Sequence, residues 1–560
     1  MNIIDTHLLS LITFLPLGAG LTLMVLNSRL NVPDDLWRGV GLATTTLVFL
    51  LALRLWALFD PTTTGYQFVE HVPWLPAWGV NYFMGLDGIS LLLVVMTAFL
   101  MPIVLLAAWD DVKKSVPGFV FHNLFLQTGM IGAFLSLNLF QFYVFWEVML
   151  IPMYFIIGIW GGPRRIYAAI KFFLFTMAGS LLMLVAAIVL YSLHYEQTGV
   201  LNLDLVRIPG VNDALPGLLD TVVPLAGEAV WWKTQPWLFG AFALAFAVKV
   251  PIFPFHTWLP DAHVEAPTAG SVVLAGVLLK MGTYGFVRFA MPLFPVAAIE
   301  FVPVVFALAL IGIVYGSLVA MVQSDVKKLI AYSSVAHLGF VMLGTFALNL
   351  EGLEGAVLQM VNHGLSTGAL FLLVGMIYQR RHTREIADFG GLTRVMPVFA
   401  VAFGVVTMSS IGLPLLNGFV GEFLILMGTF LADPWVGAAA VSGVVLAAGY
   451  MLWMFRRVFF GPLVHEENQG LFDLGLREKT IVVALLVPIV WIGVHPGTLL
   501  RRLDASVIEL VRVMEARGAD VAAVNGGRTS QQMAAELAAR RAPAGPVAAG
   551  GILASREADR

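Results

Sequence analysis

Six ionisable side chains stand inside long apolar runs. They are Glu147 in QFYVFWEVMLIPMYFIIGIW, Lys249 and Lys280 in the stretch 240–282, His337 in AYSSVAHLGF, His363 in LQMVNHGLSTGALF and Glu422 in GLPLLNGFVGEFLIL. An ionisable group at that depth is costly, so it is a functional candidate by default. Burial weakens the proton affinity of an amine and strengthens that of a carboxyl, which brings both toward neutral pH, where histidine already titrates. Ser333 and Ser334 lie one turn before His337 and share its face, while Gln359 and Thr367 sit four residues either side of His363. Acid, amine and imidazole linked by water would carry protons across a bilayer. A carboxylate beside a lysine decides whether that amine keeps its proton, so Glu147 and Lys249 are expected to pair.

Two places in the chain must position these groups. Lys249 stands just ahead of Pro251 and Pro254, and proline cannot continue the helical hydrogen-bond ladder. The run 395–431 exceeds one crossing and holds Gly412, Pro414 and Gly418 before Glu422. Both read as broken spans. Freed backbone groups at membrane depth survive only against protein or a water-filled cavity, and ion-coupled transporters build their sites there. Structural readings stand beside these. Glu147 and Lys249 would serve as a buried ion pair, Lys280 as a snorkelling residue, and His337 and His363 as hydrogen-bond glue between helices. His122 and His256 read as structural or entrance groups, and Asp261 and His263 as a possible entrance or path. Lys327 and Lys328 read as topology determinants at a helix end.

Composition agrees with a membrane setting. The 560 residues are 59% hydrophobic and 12% charged, with mean hydropathy +0.87, against about a quarter charged in soluble domains. No cysteine is present, which excludes disulfides, thiolate metal sites and iron–sulfur ligation, and no metal site is expected. A net charge of −3 gives no reason to expect a nucleic-acid partner. The first apolar stretch, 8–26, has no basic residue before it and reads as a retained span rather than a signal.

The expected fold is an all-α integral membrane protein of about fourteen transmembrane helices. The spans are 6–27, 36–59, 88–109, 117–138, 139–160, 166–193, 236–258, 266–290, 300–322, 328–349, 354–379, 395–431 (broken), 434–459 and 479–498. Basic residues concentrate in alternate loops: Arg29 and Arg38, Lys113 and Lys114, Arg164 and Arg165, Lys327 and Lys328, Arg380 to Arg394, and Arg456 to Lys479. The positive-inside rule then places both termini in the periplasm of a bacterial inner membrane, with lipid around the bundle. The loop 194–235 is polar, with an apolar patch at 215–225 that reads as a surface-lying segment. Residues 503–523 have amphipathic character, and the Ala-, Gly- and Arg-rich stretch after Gly526 reads as disordered.

The motifs MGLDGIS (84–90), FWEVMLIPMYFIIGIWGG (145–162), KVPIFPFHTWLPDAHVEAPTAGSVVLAGVLLKMG (249–282), DVKKLIAYSSVAHLG (325–339) and GLPLLNGFVGEF (412–423) resemble the antiporter-like membrane subunits of respiratory complex I. The likeness spans roughly 80–460 and is strongest to their M branch, the counterpart of mitochondrial subunit 4, where the twelfth span carries glutamate rather than lysine. It implies two inverted five-helix repeats, spans 4–8 and 9–13, each with one broken helix. The chain then divides into 1–116, 117–290, 291–460, 461–500 (helix 14) and a tail 501–560. The resemblance also implies roles: Glu147 and Lys249 as the first ion pair, Lys280 as central relay, His337 and His363 as connecting path, and Glu422 as outlet.

Under that resemblance the chain is a non-redox, proton-translocating membrane subunit of an NADH:quinone oxidoreductase. No cofactor is expected in it; FMN, iron–sulfur clusters and quinone belong to partner subunits, with the L and N chains as neighbours. No Gly-rich dinucleotide loop follows a strand, since no strand is read. The alternatives are a subunit of a multisubunit Na⁺/H⁺ antiporter or of a membrane-bound hydrogenase.

Overall fold

The computed structural model describes residues 3–212 and 215–541. Among them, eleven helices are long and apolar enough to cross a membrane, or twelve with one bent pair counted as a span. Helices α1 (Leu8–Leu30) and α2 (Asp34–Leu58) stand at the rim. A two-stranded antiparallel hairpin, β1 (Gln67–Leu75) and β2 (Val80–Leu86), leads into α3 (Gly88–Ala107). Next come α4 (Val116–Leu135), α5 (Leu139–Trp160) and the 34-residue α6 (Arg165–Thr198). The short α7 (Gln235–Lys249) and α8 (Trp258–Glu265) precede α9 (Thr268–Leu293). Then follow α10 (Val302–Met321), α11 (Val326–Phe346) and α12 (Leu350–Arg381). Two shorter helices, α13 (Pro397–Ser410) and α14 (Asn417–Ala432), lead to α15 (Pro434–Phe459) and α16 (Leu476–Val494).

The burial pattern separates two kinds of helix. Helices α9 and α12 are enclosed by protein over their whole apolar length, while α1, α2, α6 and α15 leave most of theirs outward. An apolar helix that is outward-facing in water would be unstable; facing lipid, it is satisfied. The buried helices therefore form the axis, and they are the ones that carry Lys280 and His363.

The hairpin corrects the all-helical expectation. Its turn runs through Pro76–Trp78 to Gly79, without the Asn-Gly or Asp-Gly pair that marks hairpins most strongly. Gly79 has φ +63, and a Cβ there would lie 1.9 Å from the Leu201 carbonyl, so only glycine fits. The hairpin fastens one end of the bundle. Glu70 accepts from the Leu9 and Ser10 amides at 2.9 and 3.1 Å, placing a carboxylate on the amino end of α1. Asp204, in the loop after α6, accepts from Asn81, Asn138 and His71 at 2.9, 2.9 and 3.0 Å. The apolar patch 215–225 is not simply surface-lying: Leu218 and Val223 are buried, while Val222 faces outward.

The spans 236–258 and 395–431, both read as broken, are interrupted at 250–257 and 411–416. Beyond α16 the chain bends by 69° into the amphipathic α17 (Gly497–Ala516), which buries Leu503, Val507, Val511 and Met514. The stretch after Gly526 is also ordered as far as 541. Helix α18 (Ser530–Arg541) buries Met533, and Arg528 and Arg540 reach Glu351 at 3.1 and 2.5 Å. Composition read as disorder there because the anchoring comes from ion pairs, not apolar content. Residues 542–560 lie outside the described residues.

Candidate functional site: a buried file of charge

Lys280 lies on α9 between two π-helical turns, Leu274–Leu278 and Phe286–Ala290. Such turns leave carbonyls without their usual partner and recur at functional positions. The fully buried ammonium uses one of them, donating to Ala275 O, and meets His363 Nδ1 of α12 at 2.6 Å. The two helices approach closely because neither bears a side chain at the crossing. A Cβ on Gly364 would stand 2.9 Å from the Gly276 carbonyl and 2.5 Å from Met96 Sδ. With the lysine protonated, Nδ1 is the acceptor and the ring proton sits on Nε2 (a tautomer assigned from the hydrogen bond).

The file continues across α11 and α14. The His363 and His337 rings stand 5.7 Å apart between centroids. His337 Nδ1 meets Glu422 Oε1 at 2.9 Å, and Gln359 Nε2 donates to the same oxygen at 3.1 Å. All four titratable groups are buried. A cavity of about 10 Å³ among His337, His363, Ser366 and Ser409 is on the order of one water. Glu422 is held where α13 gives way to α14. Gly412 has φ +74, and a Cβ there would stand 3.1 Å from Glu422 Oε2; one on Gly418 would stand 2.0 Å from the Ser409 carbonyl. Pro414 lies in the same interruption.

The first half is different. Pro251 and Pro254 fall in the interruption after α7, and Lys249 is its last residue. Its buried ammonium has no hydrogen-bond partner and packs over the Trp146 ring, 4.9 Å from the centroid. The expected ion pair with Glu147 is not closed: no salt bridge within 4.0 Å joins the two, although Glu147 stays within electrostatic reach of Lys249, and one Glu147 carboxylate oxygen is unpartnered. The reason is helical geometry. Successive residues on α5 point about 100° apart, so with the Trp146 indole under the lysine, Glu147 turns to a less buried side.

At the end of the bundle that carries the basic loops, His263 of α8 is fully buried, stacked on Phe371 at 4.8 Å, with both ring nitrogens unpartnered. It lies within electrostatic reach of Lys280 and Lys327. Lys327 donates to Ala266 O at 2.6 Å and lines a cavity of about 440 Å³ with Asp111, Glu265 and Arg384. Burial pushes the Asp111 carboxyl up, against a hydrogen bond from Gln379 and the charges of Lys327 and Arg477. Asp261 is not part of the file. It pairs with Lys171 at 2.7 Å, and His256 packs between Phe253 and Tyr315. His122 bonds back to its own helix, its Nδ1 2.6 Å from the Gly118 carbonyl one turn earlier.

The topology reading of Lys327 missed its burial. The signal was present: Lys327, Ser334 and His337 are spaced seven and three apart, one helical face, whereas Lys328 is exposed. Arg288 was also missed, eight residues after Lys280 on the same face. Among the described residues, no cluster of metal-ligating side chains occurs.

Residues 136–447 match the family described as NADH:quinone oxidoreductase/Mrp antiporter, TM. The chain is 49% identical over 512 residues to NADH-quinone oxidoreductase subunit M of Rhodobacter capsulatus, covering 90% of this chain and 96% of that one. It is 42% identical over 508 residues to NADH-ubiquinone oxidoreductase chain 4 of Marchantia polymorpha, covering 90% and 97%. Among solved structures it is similar to a chain of respiratory complex I from Thermus thermophilus with bound NADH, at TM-score 0.78 and 32% identity over 91% of this chain and 100% of that chain. A buried file of lysine, histidine and glutamate beside two interrupted spans, joined to near-full-length identity with these subunits, places the chain in a family: it belongs to the antiporter-like membrane subunits of NADH–quinone oxidoreductases, in the subunit M (chain 4) branch.

Proposed function

We propose that the chain moves protons across the membrane as a subunit of an NADH:quinone oxidoreductase. The observation that carries the reading is the unbroken contact series Lys280–His363, His363–His337 and His337–Glu422 inside the bundle. Every member can hold and release a proton, and all four are buried. Protons enter from the cytoplasm through the cavity at Lys327 and pass His263 to Lys280. They continue along the two histidines to Glu422, the outlet.

Lys249 and Glu147 set the drive in this reading. Bringing Glu147 toward Lys249 raises the hold of that lysine on its proton, and separating them releases it. The separated arrangement is supported by the unpartnered Lys249 ammonium. Redox energy is released in partner subunits, which carry FMN, iron–sulfur clusters and quinone, and it arrives through conformational and electrostatic coupling from the neighbouring L and N chains. The family likeness and the two interrupted spans support a fourteen-span arrangement of two inverted repeats, 117–290 and 291–460, with 1–116 before and helix 14 and the tail after. The basic loops support periplasmic termini.

The assay uses the whole complex in proteoliposomes, reading NADH oxidation and proton uptake together. Lys280→Met should leave assembly intact and abolish the proton share of this chain; a wild-type proton-to-NADH ratio would sink the reading. Lys249→Met tests the drive in the same way. Near-half identity to subunit M over almost the whole chain disfavours the antiporter and hydrogenase alternatives. Co-purification of flavin and iron–sulfur subunits with the tagged chain separates them directly.

A further inference from the structure

The motif MGLDGIS has no part in the proton file, yet its aspartate takes part in a closed cluster below Lys280. Helix α9 carries Lys280, Tyr284 and Arg288 at successive four-residue steps, so the three share one face. Arg288 is buried, and its Nη2 pairs with Asp87 Oδ2 at 2.6 Å. Three more of its N–H groups go to hydroxyls: Nε to Tyr284 OH at 3.0 Å, Nη1 to Tyr66 OH at 2.6 Å, and Nη2 to Ser90 Oγ at 3.2 Å. Tyr284 OH in turn donates to Phe134 O at 2.7 Å and stands 3.2 Å from Ser90 Oγ. Asp87 also caps α3 by accepting from the Ser90 amide at 2.9 Å. On the far side, at the hairpin end, a cavity of about 240 Å³ reaches Tyr66, Asp87 and Arg288.

The two ends of α9 are therefore built oppositely. Toward the basic loops lie groups that take and give protons: Asp111, Lys327 and His263. Toward the hairpin lies a guanidinium, which offers only donors, accepts no hydrogen bond and keeps its proton at any physiological pH. A proton hops along hydroxyls and waters only if each link can both accept and donate. Here each of three hydroxyls accepts from a guanidinium N–H that cannot release a proton and cannot take one, so no link passes a proton through the guanidinium. A fixed cation in a narrow passage is also the means by which pores exclude protons.

We infer that Arg288, held by Asp87, is a proton seal: it closes the hairpin end of the passage below Lys280 and forces the proton sideways to His363. The inference rests on the reading of Lys280 as a relay. Asp87 and Tyr66 are positioning residues, which hold the guanidinium across the passage. The seal gives the first half of the chain an inlet without an outlet, so a proton that reaches Lys280 cannot run straight to the opposite face.

The test measures passive proton flux through the assembled complex in proteoliposomes, under an imposed pH gradient with no NADH or quinone. Asp87→Asn with Arg288→Gln removes both charges together and leaves no unpaired charge. Flux should rise several-fold over wild type, and the proton-to-NADH ratio should fall. Arg288→Lys keeps the ion pair and the charge but introduces a group that releases its proton, so it should leak as well, by less; a purely structural ion pair would be served by lysine with no leak. If the double variant does not assemble, Arg288→Lys alone decides. Adding Lys280→Met should silence the leak. Wild-type tightness in the assembled variants overturns the seal. A leak that persists with Lys280→Met overturns its placement on the line of Lys280, whereas normal pumping in Lys280→Met alone would overturn the relay itself.

Discussion

Glu422→Gln separates chemistry from packing more cleanly than any other change in the file. The carboxylate accepts from His337 Nδ1 at 2.9 Å and Gln359 Nε2 at 3.1 Å, and its second oxygen faces the Gly412 turn. Glutamine has the same shape, and its amide oxygen can keep both contacts. Each bond then falls from charge-assisted, about 1.5–3 kcal/mol, to neutral, about 0.5–1.5 kcal/mol. That loss of roughly 2 kcal/mol is offset by no longer burying an ion, whose desolvation costs several kcal/mol. The complex should assemble and stay as stable as wild type. Proton transfer is another matter, because a positioned acid–base group is worth about 10²–10⁴ in rate, enough to close this route during turnover. Glu422→Asp withdraws the carboxylate by one bond, about 1.5 Å, and opens the His337 contact beyond hydrogen-bond range. A bridging water should restore part of the flux. In proteoliposomes, the Gln variant should oxidise NADH with a reduced proton yield and the Asp variant should fall between. A wild-type yield from the assembled Gln variant refutes Glu422 as outlet.

His263→Phe preserves the stack on Phe371 and removes the titratable ring, so the complex should assemble and its proton yield should drop; an unchanged yield moves the inlet elsewhere. Asp111→Asn is expected to be stabilising near neutral pH. Burial makes the folded state hold the Asp111 proton more tightly than the unfolded chain. Its contribution to stability is thus full at pH below the ordinary carboxylate range and is lost as pH rises through the folded value. The melting-temperature gain of the variant should therefore vanish on acidification. Arg528→Ala with Arg540→Ala strips Glu351 of both partners and leaves a buried carboxylate unpaired, a change of up to about 3–5 kcal/mol where burial is complete. It should free α18 to proteolysis. Arg540→Ala alone removes a half-exposed partner and should cost about 1 kcal/mol or less.

Much of this site is legible in the sequence because the membrane makes polar residues stand out. Lys280, His337, His363 and Glu422 are conspicuous against apolar neighbours, and the proline and glycine clusters at 250–257 and 411–416 mark the interruptions. What stays hidden depends on direction rather than identity. Lys327 and Lys328 are the same residue type at one helix end, yet one is buried and the other exposed. Only the heptad spacing from Lys327 to Ser334 tells them apart. The hairpin escaped because its turn lacks the usual signal, and its strands are held both by Glu70 and Asp204 and by packing Phe83, Met84 and Leu86 into the bundle. The helix at Ser530–Arg541 escaped because its attachment to Glu351 is made by residues distant in sequence.

The two interrupted spans show why contact state matters more than composition. Each places a charged residue beside its break, Lys249 in one and Glu422 in the other, and each has a partner of complementary chemistry on a neighbouring helix. In the second span the partner is engaged: His337 and Glu422 share a hydrogen bond at 2.9 Å. In the first it is not, and both Lys249 and Glu147 keep an unpartnered polar atom. Leaving a buried charge unpaired is the less favourable arrangement, and it persists only where surrounding packing, here the Trp146 ring under Lys249, enforces it. The unpaired end can therefore be moved by a modest push from outside the chain, because pairing Glu147 with Lys249 lowers the energy of both. Glu147 is the less buried of the two, so the push can reach it first. Under the proposed function, a neighbour that presents a cation to Glu147 would draw it off Lys249, and one that withdraws the cation would let the pair close, which would make the first half the receiver of the signal and the second half, closed on His337, the conductor.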